Sequence, residues 1–273
     1  MAKDFSSTAD LLAWYREMGM EVPLPQEVPT IVPKVPIKPA KSAPVAVAPA
    51  AVVAQAPAAA YTAKPFVAMT SPSQAVAMAR ALADAANSLE ALKQAVFSYD
   101  ACALKHTAMN TVFSDGNPEA TLMLIGEAPG ASEDAQGIPF CGESGKLLDA
   151  MFAAIGYDRS RFYITNSLFW RPPGNRRPTP EEVAMCLPFV EKHIALIRPK
   201  LLVLVGATAA SGLLTATEGI TKLRGRPHDY QNPYLDAPIP TFAIYHPSYL
   251  LRQPTQKRQA WHDLLRINHF LLS

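Results

Sequence analysis

In the C-terminal two-thirds of the chain, hydrophobic positions fall into two alternating kinds of segment. Four short apolar runs read as buried strands: Thr121–Ile125, ended by Gly126, then Phe162–Asn166, Leu201–Val205 and Thr241–Tyr245. Around them, apolar residues recur at helical spacing over Ser73–Lys93, Glu143–Ile155, Pro180–Ile197, Ala207–Leu214 and Thr255–Leu271. Pro180 suits the first turn of its helix, where no N–H is needed. Strands alternating with helices predict the α/β class, with a parallel sheet covered on both faces. In such sheets ligands sit beyond the carboxyl ends of the strands, so chemistry is sought along that rim.

The N-terminal part follows a different pattern. Ser6 to Met18 reads as a short amphipathic helix, capped by Ser7 or Thr8, with Leu11, Leu12, Tyr15 and Met18 on one face. Alone it is too short to be stable in water, and it needs a surface to dock on. From Val22 to about Pro72 the chain is rich in Pro, Ala, Val and Lys, a composition that favours a disordered, polyproline-like linker. The expected organisation is a helix within residues 1–20, a linker over 21–72 and a globular domain over 73–273. The helix is either an incidental part of a tail or a docking element for a protein partner or for the globular domain.

Composition adds limits. Of the 273 residues, 49% are hydrophobic, but much of that is Ala and Val in the linker, so the sizeable core belongs to the C-terminal domain. The net charge of +2 does not by itself argue for nucleic acid, so any basic surface must be local. Residues 1–20 carry Asp4, Asp10, Arg16 and Glu17 and no apolar secretory core, and no apolar run reaches membrane-spanning length. Three cysteines cannot form a paired disulfide framework. A reducing, cytoplasmic setting without membrane contact is expected.

The strand ends carry the candidate chemistry. After the first strand come Gly126-Glu127-Ala128-Pro129-Gly130 and a loop to Phe140-Cys141-Gly142. Asn166 ends the second strand, and His246-Pro247-Ser248-Tyr249 follows the fourth. Singly, each has an ordinary structural explanation: Glu127 could cap a turn, Asn166 could satisfy buried backbone, Phe140 could be core, and His246 could be a hydrogen-bonded structural histidine. A carboxylate, an aromatic, an amide and an imidazole on one rim make those explanations together improbable. A generic nucleotide-binding domain is disfavoured, because neither G-x-G-x-x-G nor a P-loop lysine follows the first strand.

Four segments, GEAPGASEDAQGIPFCGESGKLLDAM, YITNSLFWRPPGNRRPTPEE, ITKLRGR and YHPSYLLR, closely resemble the family 4 uracil-DNA glycosylases in order and spacing. The resemblance runs from about Phe97 to the C-terminus. It implies a three-layer α/β/α sandwich with a central four-stranded parallel sheet. It also implies hydrolysis of the N-glycosidic bond of deoxyuridine in DNA by base flipping, the first step of base excision repair. Carried over by position, Glu127 looks like the carboxylate that positions or activates water. Phe140 looks like the aromatic that stacks on uracil, Asn166 like the amide that reads its edge, and His246 like the donor to uracil O2. The family's covalently trapping relatives differ in the first motif and in the loop corresponding to Thr221–Arg226; GEAPG and KLRG here look like the hydrolytic form.

The chemistry asks for these residue types independently. A flipped base needs a pocket that replaces its stacking and pairing. An aromatic face supplies the first. An amide offers a donor and an acceptor to match uracil O4 and N3–H, a pattern cytosine reverses. An imidazole donor stabilises the charge on departing uracil, and a carboxylate near C1′ stabilises the sugar cation and holds water. Backbone groups around Pro129, Gly130 and Ser248 are candidates to grip phosphates, with Lys222, Arg224 and Arg226. Those three cations could equally be a solvated turn, and Arg176 and Arg177 are weaker candidates. The segment Tyr249-Leu250-Leu251-Arg252 could wedge into the gap left by the flipped nucleotide.

The family usually holds a four-iron cluster on four cysteines, and those positions fall here on Tyr99, Cys102, Trp170 and Cys186. Two thiols are too few for such a cluster. The expectation is therefore no cluster and no metal, with the two aromatics filling the space and Cys102 and Cys186 as buried, inert thiols. A metal or partial cluster with a non-cysteine ligand is the alternative. A monomer is expected. The competing functions are a glycosylase-fold DNA-binding protein without catalysis, against which the four rim groups count, and a glycosylase for another deaminated base.

Overall fold

The computed structural model describes residues 71–272; the helix and linker expected over residues 1–72 lie almost wholly outside them. The first described helix, α1 (Pro72–Ala85), starts one residue before the expected boundary, because Ser71 caps it and Gln74 returns a side-chain bond to Ser71 N–H. The single helical stretch expected over Ser73–Lys93 is two helices. The chain leaves helical geometry at Ala86, and Ser88 caps α2 (Leu89–Ser98) by accepting from Ala91 N–H at 3.1 Å.

The chain continues through α3 (Ala103–Thr107), β1 (Asp115–Gly116), β2 (Leu122–Gly126), α4 (Ala131–Gln136), α5 (Glu143–Ala153), β3 (Phe162–Asn166), α6 (Pro180–Ile197) and β4 (Leu201–Val205). Then come α7 (Ala207–Leu214), α8 (Ile220–Leu223), β5 (Pro227–Tyr230), β6 (Ile239–Ile244), α9 (Pro247–Arg252) and α10 (Lys257–Leu272). The four expected strands are β2, β3, β4 and β6, within two residues at each end. They form the parallel centre of a sheet ordered β1-β3-β2-β4-β6-β5. The sheet is wider than expected, because β1 and β5 add antiparallel edges. Neither has an apolar run to announce it: β1 is Asp-Gly and β5 is Pro-His-Asp-Tyr, with Pro at the edge where a ladder donor is not missed.

Strand alternation sorts the core into two layers. Met123, Ile125, Tyr163, Leu202, Leu204 and Ala243 face α1, α2, α6 and α7. Leu122, Leu124, Phe162, Ile164, Val203 and Ile244 face α5 and α10, where Leu148, Phe152, Leu264 and Ile267 are fully or almost fully buried. Every residue of β2, β3 and β4 is buried, and in β6 all but Pro240, as a sheet covered on both faces requires. This is the α/β/α sandwich. Among the described residues no helix is long and apolar enough to cross a membrane.

Candidate active site

The carboxyl ends of β2 and β3 stay zipped together beyond the sheet. Gly126 pairs with Asn166 in register, its carbonyl accepts from Ser167 N–H (2.8 Å) and Ser167 Oγ–H (2.9 Å), and the next carbonyl, of Glu127, accepts from Leu168 N–H (3.1 Å). Glu127 and Asn166 are thereby delivered to one rim. Gly126 is required there: a Cβ would stand 2.3 Å from Phe140 Cζ and 2.4 Å from Asn166 Oδ1. The glycine lets an aromatic ring and an amide close over the strand end, and Asn166 is only 2% exposed.

Two loops form the near wall. The Glu133 carboxylate accepts from Gly130 N–H (3.1 Å) and Gly142 N–H (2.8 Å), joining the loop after β2 to the loop carrying Phe140. Its neighbour Asp134, 3% exposed, accepts from Met109 and Asn110 N–H and anchors the outer side. Phe140 has φ +53°, a left-handed backbone that a non-glycine residue adopts only when its surroundings impose it. Gly145 at the start of α5 permits this, since a Cβ there would overlap the Phe140 carbonyl.

His246 ends the segment after β6 and caps α9, with Pro247 at the first helical position. Its Nδ1 accepts from Ser248 N–H (3.1 Å) and lies 2.8 Å from Ser248 Oγ. A backbone N–H can only donate, so the proton of the neutral ring is on Nε2. Burial pushes the imidazole down to about 4, with Arg252 adding to the shift and Glu133 opposing it. The ring is therefore neutral near pH 7, and its centroid lies 5.8 Å from that of Phe140.

Glu127, Phe140, Asn166 and His246 line one cleft of about 480 Å³ at the strand ends. It offers a carboxylate, an aromatic surface, an amide and a neutral N–H donor, a set that can recognise a flat polar base beside a water-activating group. Pro129, Gly130, Ser248 and Arg252 line the same cleft. So do Asn175, which the sequence did not single out, and Arg176, whose guanidinium pairs with Glu182 at 2.6 Å. Asn175 sits in the Pro/Gly-rich turn at φ +54°, and its only signal was its place beside Gly174.

Other expected contacts fall elsewhere. Leu250 is fully buried with Tyr245 and Ala260, so it cannot enter DNA; the outward residue of α9 is Leu251, 46% exposed. Helical rotation separates the two neighbours. Tyr249 is half-buried against Tyr245. Lys222, Arg224 and Arg226 are outside the cleft lining. Arg224 is held by Asp263 at 2.8 Å and lies over the Tyr245 ring, and Arg226 pairs with Glu218 at 2.9 Å, while Lys222 is exposed.

Tyr99, Cys102, Trp170 and Cys186 meet in the core on the other side of the sheet from α5, each at most 1% exposed. The Tyr99 and Trp170 rings stack at 6.3 Å, and Tyr99 also meets Phe189 edge-on at 5.2 Å. Tyr99 Oη–H donates to Ala75 O (2.9 Å), and Trp170 Nε1–H donates to Thr111 Oγ1 (2.9 Å). The Cys102 and Cys186 thiols are both free and buried; the interaction between them holds Cys102 down and, with burial, Cys186 well up. Two thiols and two rings with satisfied polar atoms do not match the four-thiolate donor set of an iron–sulfur cluster. Among the described residues, no three His, Cys, Asp or Glu side chains are grouped to hold a metal ion.

Residues 113–265 match the family model of the uracil DNA glycosylase superfamily. The chain is 38% identical over 186 residues to a type-4 uracil-DNA glycosylase of Thermotoga maritima, covering 67% of this chain and 94% of the relative. It is 36% identical to the type-4 enzyme of Archaeoglobus fulgidus, over 66% of this chain and 92% of the relative. With that of Sulfurisphaera tokodaii it shares 34% identity, over 68% of this chain and 86% of the relative.

Proposed function

The chain belongs to the uracil-DNA glycosylase superfamily, and from that premise we propose that it hydrolyses the N-glycosidic bond of deoxyuridine in DNA, opening base excision repair. The observation that carries this reading is the single cleft shared by Glu127, Phe140, Asn166 and His246. The deoxyuridine leaves the stack, and its uracil enters the cleft against the Phe140 ring. Asn166 matches the O4 and N3–H edge; cytosine, with donor and acceptor exchanged, would leave a buried amide unpaired. As the bond to C1′ breaks, electrons flow into the uracil ring and charge grows on O2. The neutral His246 donates there from Nε2, held in that tautomer by Ser248 N–H. Glu127 stabilises the positive sugar and orients the water that adds to C1′, taking its proton.

The DNA backbone is gripped by Gly130, Ser248 and Arg252 at the cleft mouth, and within the segment Tyr249–Arg252 the exposed Leu251 is the wedge. Base flipping needs no second subunit, so the enzyme acts as a monomer. It works without an iron–sulfur cluster: the Tyr99–Trp170 stack packs together the segments that four thiolates would otherwise join.

The test uses an end-labelled oligonucleotide with one deoxyuridine, treated with alkali to reveal abasic sites, and a visible spectrum of the same protein. Cleavage at uracil by a colourless protein is expected, with single-turnover rates in Glu127→Ala and His246→Ala lower by about 10²–10⁴-fold. Folded protein that binds this DNA but releases no uracil would overturn the reading in favour of a binding protein or another lesion. A brown protein would overturn the clusterless part alone.

A further inference from the structure

We propose that Arg159 is a positioning residue of the active site: its guanidinium holds the Phe140 peptide in its left-handed conformation and so sets the plane on which uracil stacks. The proposal rests on the reading of Phe140 as the stacking face. Arg159 does not itself line the cleft. It lies between α5 and β3, on the outer side of the Phe140 loop.

All five of its N–H donors are engaged. Nε donates to Asp149 Oδ1 (2.8 Å) and Nη2 to Asp149 Oδ2 (3.4 Å), a two-point pair with α5. Nη1 donates to Asp115 Oδ2 (3.0 Å), on the edge strand β1. The remaining two go to backbone: Nη1 to Pro139 O (3.2 Å) and Nη2 to Phe140 O (2.8 Å). The face of the guanidinium lies over the Phe162 ring at 5.7 Å from its centroid.

The placement of these bonds points to positioning rather than plain stability. Phe140 has φ +53°, and in that conformation its carbonyl turns away from the cleft, toward Gly145 and Arg159. Two successive carbonyls captured by one planar cation cannot rotate independently, so the two peptide units that flank the Phe140 Cα are both held. The carboxylates of Asp115 and Asp149 fix the cation in turn. Opposite it, the Phe140 ring is pressed against Gly126 and faces His246. Without the guanidinium, the loop can relax toward negative φ, carrying the ring off the strand end. A lysine would restore the charge near the two carboxylates, but with three donors from one point it cannot hold both carbonyls and both carboxylates.

The experiment is a double-mutant cycle on the full chain, with single-turnover uracil release, KM and thermal midpoint measured for R159Q, R159K, F140A and R159Q/F140A. In the wild-type background R159Q is expected to slow release by about tenfold, and R159K by nearly as much although its midpoint stays closer to wild type. On the F140A background R159Q should change the rate by less than about twofold, because the ring it positions is gone. Equal losses in both backgrounds, or full activity in R159K, would overturn the proposal. If F140A itself released uracil at the wild-type rate, the stacking role of Phe140 would fall, and the proposal with it. If R159Q does not fold, R159K alone decides by its rate.

Discussion

The strand-end cleft and the aromatic cluster around Tyr99 and Trp170 are both well packed, but they answer to different constraints. In the cleft, under the proposed function, each group must meet a particular atom of a base, a sugar or a water. The supporting backbone is correspondingly tight: a glycine with no room for a Cβ, a phenylalanine at positive φ, and a histidine fixed in one tautomer. The aromatic cluster has only to fill volume, satisfy its polar atoms and hold segments together. A stacked tyrosine and tryptophan meet those demands by a different chemistry from that of metal–thiolate bonds. Reacting atoms prescribe residue types, whereas packing prescribes sizes and shapes. Residue types are therefore constrained more tightly in the cleft than in the aromatic cluster.

The sharpest way to break this comparison is a single methyl group in the cleft. Gly126→Ala puts a Cβ within 2.4 Å of both the Phe140 ring and Asn166 Oδ1, so ring, amide or strand end must move. Displacing stacking face and reading edge together is expected to reduce uracil release by at least about 10²-fold, the cost of a misplacement of about 1 Å. Quench-flow or gel kinetics would measure it, with the folded fraction followed by circular dichroism. Near-wild-type activity in G126A would mean that the cleft tolerates slack and that its residue types matter more than their placement.

A deletion on the other side should do the reverse. Trp170→Ala removes a fully buried indole from contact with Tyr99 and Phe169 and leaves Thr111 Oγ without its donor. A loss of about 3–5 kcal/mol in stability is expected, read from the urea midpoint. Uracil release per folded molecule should stay within about threefold of wild type, since a remote packing change leaves the transition-state contacts intact. A large loss of rate in fully folded W170A would show that the aromatic cluster is coupled to the chemistry.

Much of this was legible in the sequence, and the exceptions have physical reasons. The four central strands are continuous apolar runs because both faces are buried, and the cleft residues follow directly from where those runs end. The edge strands β1 and β5 were invisible, because edge pairing uses backbone that any residue supplies, β1 is two residues long and β5 fully buries only Tyr230. Leu250 and Leu251 are chemically identical neighbours, and only the rotation of a six-residue helix decides which is buried. Arg224 looked free because its partner Asp263 lies 39 residues away. Arg159 was missed for a similar reason: its role is exercised on backbone carbonyls, which carry no side-chain signature.

The smallest expected effect separates the two regions by pH. Each contains one histidine held neutral by burial: His246 in the cleft, pushed down to about 4, and His193 in the aromatic core, pushed down to about 3. His193 stacks on Phe113 at 4.6 Å, bonds to Tyr163 Oη at 2.8 Å through Nε2, and has no partner at Nδ1. An unfolded histidine takes up its proton near 6.5, so between that pH and the depressed native values the unfolded chain binds more protons. Stability contributed by both rings is therefore complete above about 6.5 and is lost as pH falls toward 4 and then 3. His193→Gln keeps a polar partner for Tyr163 but cannot charge, so its urea midpoint should fall less steeply over that window while uracil release at pH 7 is unchanged. His246→Gln should lose activity at every pH and also flatten the acid slope, and in wild type the His246 ring resonances should titrate near 4. A His246 titration near 6.5 would mean the ring is well hydrated in the cleft, a donor in water instead of a preorganised one.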